Sequence, residues 1–177
     1  MLDEIIIAGF GGQGILLIGR LIAQAGMLEG KQVSWMPSYG PEMRGGTANC
    51  TVIVSSEEVA SPVVSNPSSL IAMNQPSLDK FESLVEKDGI IIVNKSLISR
   101  NVKRDDVEVV EVPANDIANE LGNLRVANMV ILGSYIAKSK SVKMENVFRA
   151  LEEALYRQSE KMIKLNKEAL ERGAMFC

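Results

Sequence analysis

The stretch Ile5-Ile6-Ile7-Ala8-Gly9-Phe10-Gly11-Gly12-Gln13-Gly14-Ile15-Leu16-Leu17 decides the fold. A β-branched run stops at a glycine cluster, and an apolar segment rich in helix formers follows. That order reads as a buried strand, a tight turn and a helix. Gly9, Gly11 and Gly14 fit G-x-G-x-x-G. The first turns the chain off the strand, the second lets backbone approach a ligand, and the third lets helix pack closely on strand. The amides that open the helix carry about +0.5 of an elementary charge, which stabilises an anion there by roughly 0.3–1 kcal/mol. Three readings of the loop stay open: phosphate binding, an interface, or turn geometry alone.

Outward from the loop, a helix is expected from Gly14 to Glu29, with Ile15, Leu16, Ile18, Leu21, Ile22, Ala25 and Leu28 on its apolar face and Gly30 as its stop. Lys31 to Met36 reads as a second strand that closes a β-α-β unit. Thr47–Val54 alternates as a strand, and Val59–Val64, with Pro62, reads as a short edge strand completing an inserted β-hairpin. Ser69–Met73, Ile90–Val93 and Val107–Val112 are further strands. Helices are expected from Pro76 to about Val85, over Asn115–Leu121, over Arg125–Lys138, and as a pair between Ser141 and Arg172 stopped by Gly173. The fold class is α/β: a single Rossmann-like domain over residues 1–177, with a mainly parallel but mixed sheet, helices on both faces and a helical C-terminal region.

Composition narrows the function. With 46% hydrophobic and 23% charged residues and a net charge of −3, the 177-residue chain suits a globular protein, not a broad nucleic-acid or anionic-membrane binder. Its longest apolar stretch, Val126–Ala137, is shorter than the roughly 20 residues that cross a bilayer. No signal peptide precedes the first strand, so a cytoplasmic location is expected. There is no histidine, which removes imidazole acid–base and metal chemistry. Cys50 and Cys177 cannot supply the roughly four thiolates of an iron–sulfur cluster, and Cys50 reads as a small buried hydrophobe. No catalytic group and no metal ligand is assigned.

The glycine motif alone is weak evidence for a dinucleotide. NAD sites carry an Asp or Glu at the end of the second strand, where this chain has Ser34-Trp35-Met36-Pro37. A stand-alone NAD- or FAD-binding oxidoreductase is therefore a rival reading, and a non-catalytic assembly subunit is another.

Two motifs together, Gly9–Gly14 and Tyr39-Gly40-Pro41-Glu42-Met43-Arg44-Gly45-Gly46-Thr47-Ala48, resemble the gamma subunit of 2-oxoacid:ferredoxin oxidoreductases across nearly the whole chain. The resemblance implies a part in oxidative decarboxylation of a 2-oxoacid to an acyl-coenzyme A, with ferredoxin as electron acceptor. It places thiamine diphosphate on alpha and beta subunits and the iron–sulfur clusters on beta and a ferredoxin-like delta subunit. This chain would hold no cofactor alone and would serve coenzyme A access. On this reading Tyr39, Gly40, Pro41, Glu42, Met43, Arg44, Gly45, Gly46 and Thr47 face the neighbouring subunits near the coenzyme A route. Arg44 supplies a fork for a phosphate or carboxylate there, and Tyr39 an aromatic anchor. Gly9, Gly11, Gly12, Gln13 and Gly14 form a phosphate or interface loop. A separate, minimal subunit leans towards 2-oxoglutarate as the oxoacid.

Overall fold

The computed structural model describes residues 1–38 and 47–177, with Thr47 described by its backbone. Among these residues six strands form one sheet in the order β2-β3-β1-β4-β5-β6. They are β1 (Leu2–Phe10), β2 (Gln32–Ser38), β3 (Thr47–Ser55), β4 (Ser69–Ala72), β5 (Ile90–Asn94) and β6 (Glu108–Val112). β1, β4, β5 and β6 are parallel, so their C-terminal ends meet at one end of the sheet. β3 lies antiparallel between β1 and β2, in register from Leu2 opposite Ser55 to Phe10 opposite Thr47. The sheet is mixed, as expected.

The β-α-β unit exists, with β3 inserted between its two strands. One expectation is corrected here. The second strand of the inserted hairpin is absent: Val59–Val64 is in no strand, and Val63 stands exposed. The reason is in the pairing. Both edges of β3 are already taken, by β1 on one side and β2 on the other, and Pro62 has no N–H to offer a ladder. The antiparallel ribbon is β2 with β3.

Strand alternation distributes the core. Ile5, Ile7, Cys50, Val52, Val54, Ile71 and Ile92 point to one face, beneath α1 (Ile15–Leu28), α3 (Ala114–Glu120), α4 (Ala127–Ser139) and α5 (Met144–Ala154), with α6 (Glu160–Ala174) packed over α4. Ile6, Ala8, Leu70, Ala72, Ile91 and Val93 point to the other face, where α2 (Gln75–Phe81) and a 3-10 turn at Glu82–Leu84 are the helical cover among the described residues. Helices do cover both faces, but unequally. α1 buries Ile15, Ile18, Leu21 and Ile22 completely or nearly so, each contributing about 1.5–3 kcal/mol.

Helix ends follow local chemistry. Gly30 takes a left-handed φ of 71° just beyond α1, and Ser159 caps α6 by accepting from Met162 N at 3.3 Å. Gly173 behaves otherwise than expected. α6 runs through it to Ala174, and an added Cβ would strike the carbonyl of Val130 on α4. Gly133 meets Leu170 of α6 in the same way. These glycines let two helix backbones touch; Gly173 is a packing residue and not a stop.

Candidate functional site

At the C-terminal end of the parallel strands the glycine loop joins β1 to α1. Gly9 still belongs to β1, paired with Ala48, and a Cβ there would lie 2.6 Å from Ile15 Cδ1 and 2.9 Å from Met73 Cβ. Close packing of helix on strand is therefore the task of Gly9. The turn falls to Gly12 and Gly14, with φ of 94° and 76°. Gly14 is the N-cap of α1 and abuts the side chain of Asn128 on α4. Gly11 and Gly12 are exposed at the loop tip.

A cavity of about 190 Å³ opens beside this loop, lined by Gly12 and Gln13 on one side and by Arg125, Ala127 and Asn128 on the other. Two helices, α1 and α4, begin at its walls. α1 has no capping side chain and no acidic residue in its first turn, whereas α4 continues a 3-10 turn, Leu124–Val126, whose N-cap Asn123 accepts from Arg125 N at 3.0 Å and whose Leu124 carbonyl accepts from Ala127 N. The partial positive charge at the start of α1 thus lies beside a space whose one charged lining residue, among the described residues, is Arg125. Asn128 is 6% exposed, and its Oδ1 has no partner among the described residues. A buried acceptor without a donor costs about 1–3 kcal/mol, so one is rarely left without a reason. A larger open groove of about 900 Å³ runs between Leu121–Asn123 and the start of α6. None of its lining side chains is a buried polar group lacking a partner.

Gln13 does not point simply at the cavity. Its Oε1 accepts from Phe10 N at 2.6 Å and from Asn74 Nδ2 at 3.4 Å, and its Nε2 donates to Met73 O at 3.5 Å. The same Met73 carbonyl accepts from Asn94 Nδ2 at 3.5 Å, and Asn94 Nδ2 also donates to Asn115 Oδ1 at 2.8 Å. Gln13, Asn74, Asn94 and Asn115 stand at or just beyond the ends of β1, β4, β5 and β6. One neutral carboxamide thus closes each of the four parallel strands.

Of the expected site residues, Gly9, Gly11, Gly12, Gln13 and Gly14 come together here. Tyr39, Gly40, Pro41, Glu42, Met43, Arg44, Gly45 and Gly46 lie outside the described residues. The strands that flank them leave the sheet at this same end, because Thr47 pairs with Phe10 and Ser38 closes β2 opposite Asn49. Arg125, Asn128 and the three asparagines of the ladder carried no signal in the reading of the chain. The one clue available is position, since each follows a strand or opens a helix. Cys50 is fully buried, as expected, and burial pushes its thiol up to about 12.

Residues 4–176 match the family model for pyruvate ferredoxin/flavodoxin oxidoreductase. The chain belongs to this family. It is 42% identical over 168 residues to ketoisovalerate oxidoreductase subunit VorA of Methanothermobacter marburgensis, an alignment covering 95% of this chain and 35% of that one. The chain thus spans about a third of the length of that relative. It is 34% identical over 154 residues to 2-oxoglutarate synthase subunit KorC of Methanocaldococcus jannaschii, covering 85% of this chain and 82% of that one. The crystal structure of the keto/oxoacid ferredoxin oxidoreductase gamma subunit from Geobacter sulfurreducens superimposes with a TM-score of 0.83 at 30% identity, covering 98% and 97% of the two chains. "Rossmann-like" fits this architecture only loosely, because an antiparallel strand is inserted beside β1.

Proposed function

We propose that residues 1–177 act as a single gamma domain, a subunit of a cytoplasmic 2-oxoacid:ferredoxin oxidoreductase. Its alpha and beta subunits and a ferredoxin-like delta subunit carry thiamine diphosphate and the iron–sulfur clusters, and ferredoxin takes the electrons. The observation that carries this reading is the cradle at the glycine loop, where the uncapped start of α1, Arg125 and Asn128 Oδ1, which has no partner among the described residues, stand around one cavity. It fits one phosphate-bearing end of coenzyme A. Drug-sized ligands occupy roughly 300–1,000 Å³, so a space of about 190 Å³ takes one end of so large a molecule.

Coenzyme A, when bound, supplies the thiol that accepts the acyl group. This chain's part is to hold and orient it. Gly12 and the first-turn amides of α1 are offered to the anion, Arg125 adds a cationic fork, and Asn128 Oδ1 accepts from an N–H or O–H of the ligand. The Tyr39–Thr47 segment meets the partner subunits near the coenzyme A route. The names of the relatives divide between ketoisovalerate and 2-oxoglutarate, so the oxoacid is a matter for assay. A stand-alone NAD enzyme is not favoured: β2 ends in Trp35-Met36-Pro37-Ser38 without a carboxylate.

The test is an anaerobic pull-down of the tagged chain from its native cells, with the eluate assayed for viologen reduction that needs both a 2-oxoacid and coenzyme A. Co-eluting thiamine- and cluster-bearing subunits with that activity are expected. A chain that elutes alone and binds a dinucleotide overturns the proposal. An Arg44→Ala complex that assembles and keeps its coenzyme A dependence removes Arg44 from the coenzyme A route.

A further inference from the structure

A glycine-rich loop presents its amides to a ligand only while something holds its shape, because glycine itself favours no single conformation. In this protein the hold comes from side chains, Gln13 inside the motif and asparagines outside it. The carboxamide of Gln13 reaches back over the turn to Phe10 N, and sideways to Asn74 and the Met73 carbonyl. Asn94 meets that carbonyl from its other side and passes the connection on to Asn115 at the start of α3. Backbone groups fix the sense of each carboxamide. Phe10 N requires an oxygen from Gln13, Ser77 N requires one from Asn74 at 2.9 Å, and the Met73 carbonyl requires an N–H from both Gln13 and Asn94.

The ladder is neutral along its whole length. Carboxylates could accept the same bonds but could not donate to Met73, and each would set a negative charge beside the anion cradle. Several of its links are long, at 3.4–3.5 Å, so the loop is latched by their sum.

We infer that Gln13, Asn74 and Asn94 are positioning residues: their carboxamides latch the glycine loop to the ends of the parallel strands and so set the geometry in which it receives its ligand. Identification of that ligand as coenzyme A rests on the function proposed above, whereas the latch itself can be tested without it.

Gln13→Glu keeps both bonds accepted by Oε1 and loses the donor to Met73. Protonation at low pH restores that donor. Amide hydrogen exchange over Phe10–Gly14 in the full chain is expected to be about tenfold faster than wild type at pH 8 and to return towards wild type only below about pH 4, where a glutamate carboxyl is protonated. Asn74→Asp keeps the cap on Ser77 N and loses the donor to Gln13, and is expected to loosen the same peptide. Exchange unchanged in both variants overturns the latch.

In the reconstituted complex, Gln13→Glu is expected to raise KM for coenzyme A about tenfold at pH 8, with KM for the oxoacid unchanged and the defect shrinking as pH falls. Faster exchange with an unaltered KM for coenzyme A overturns the positioning role. A wild-type complex with no coenzyme A dependence defeats the proposed function, and the exchange data then decide the latch alone.

Discussion

The two ends of the sheet treat buried polar atoms in opposite ways. At the N-terminal end, Asp3 is 8% exposed, and its carboxylate accepts from Ser68 Oγ at 2.8 Å, Ser69 Oγ at 3.1 Å and the hydroxyl of the fully buried Tyr135. Nearby, Glu29 pairs with Lys31 at 2.8 Å and accepts from Lys143 N and Asn146 Nδ2; burial opposes its ionisation, yet these donors hold it below the usual carboxylate range. Charge is present there, and it is satisfied. At the C-terminal end charge sits on half-exposed groups, the Lys95–Glu111 pair at 2.8 Å among them, and the satisfaction of buried polar atoms is incomplete. Among the described residues, all four buried side-chain atoms without a partner, Gln75 Oε1, Ser77 Oγ, Asn94 Oδ1 and Asn128 Oδ1, belong to that end. A completed network stabilises; an incomplete one keeps capacity for something not yet bound. Open α/β sheets place their ligands at the C-terminal ends of the strands, and the bonding pattern shows the same polarity atom by atom.

The comparison can be broken most forcefully at the satisfied end. Asp3→Ala leaves the Tyr135 hydroxyl buried without its acceptor and is expected to cost about 2–3 kcal/mol in urea unfolding, with no change in KM for coenzyme A. Tyr135→Phe is milder, at about 1–2 kcal/mol near neutral pH. It also has a pH signature. Burial and the neighbouring Asp3 carboxylate raise the Tyr135 phenol well above its ordinary value of 10.0. The stability it contributes is therefore complete below pH 10 and lost as pH climbs from there towards the folded value. Wild type should lose stability over that alkaline range, and the Phe variant should lose less.

At the unsatisfied end the ranking inverts. Asn128→Leu removes an acceptor that has no donor among the described residues, so unfolding free energy is expected not to fall, and to rise by as much as about 1–3 kcal/mol, while KM for coenzyme A rises about tenfold. A large stability loss instead would mean that Asn128 is structural and the contrast between the ends is false. The smallest effect concerns Cys50. With its thiol buried and pushed up to about 12, Cys50 should resist a disulfide reagent in the native chain, while the exposed Cys177 reacts.

Much of this was legible in the residues, for reasons that differ by element. Ile5–Ile7 and Ile90–Val93 announce buried strands because a parallel sheet covered on both faces demands continuous apolar runs. The break between α5 and α6 shows in the lapse of helical spacing around Tyr156–Lys161. Strand partnership does not show. Nothing in Thr47–Ser55 says that it inserts between β1 and β2, because alternation fixes which face a residue takes and not which neighbour the strand finds. Gly173 read as a stop since glycine after a helical run has two uses, and the other requires Val130, 43 positions away, to be seen beside it. The glycine loop was legible as a candidate site. Its asparagines were not, because an asparagine at a strand end looks like any turn residue until three of them are found in a row beside Gln13.

That row also sets a chemical lifetime. Asparagine carboxamides hydrolyse slowly to carboxylates and are among the thermolabile groups of a protein, and each such event in the ladder would exchange a donor for a negative charge. The asparagines used here are followed by Gln75, Lys95 and Asp116, none of them the unhindered glycine that speeds the attack of the next amide. An aged preparation should therefore lose its loop geometry late, in single-charge steps visible by isoelectric focusing, while the fold beneath stays intact.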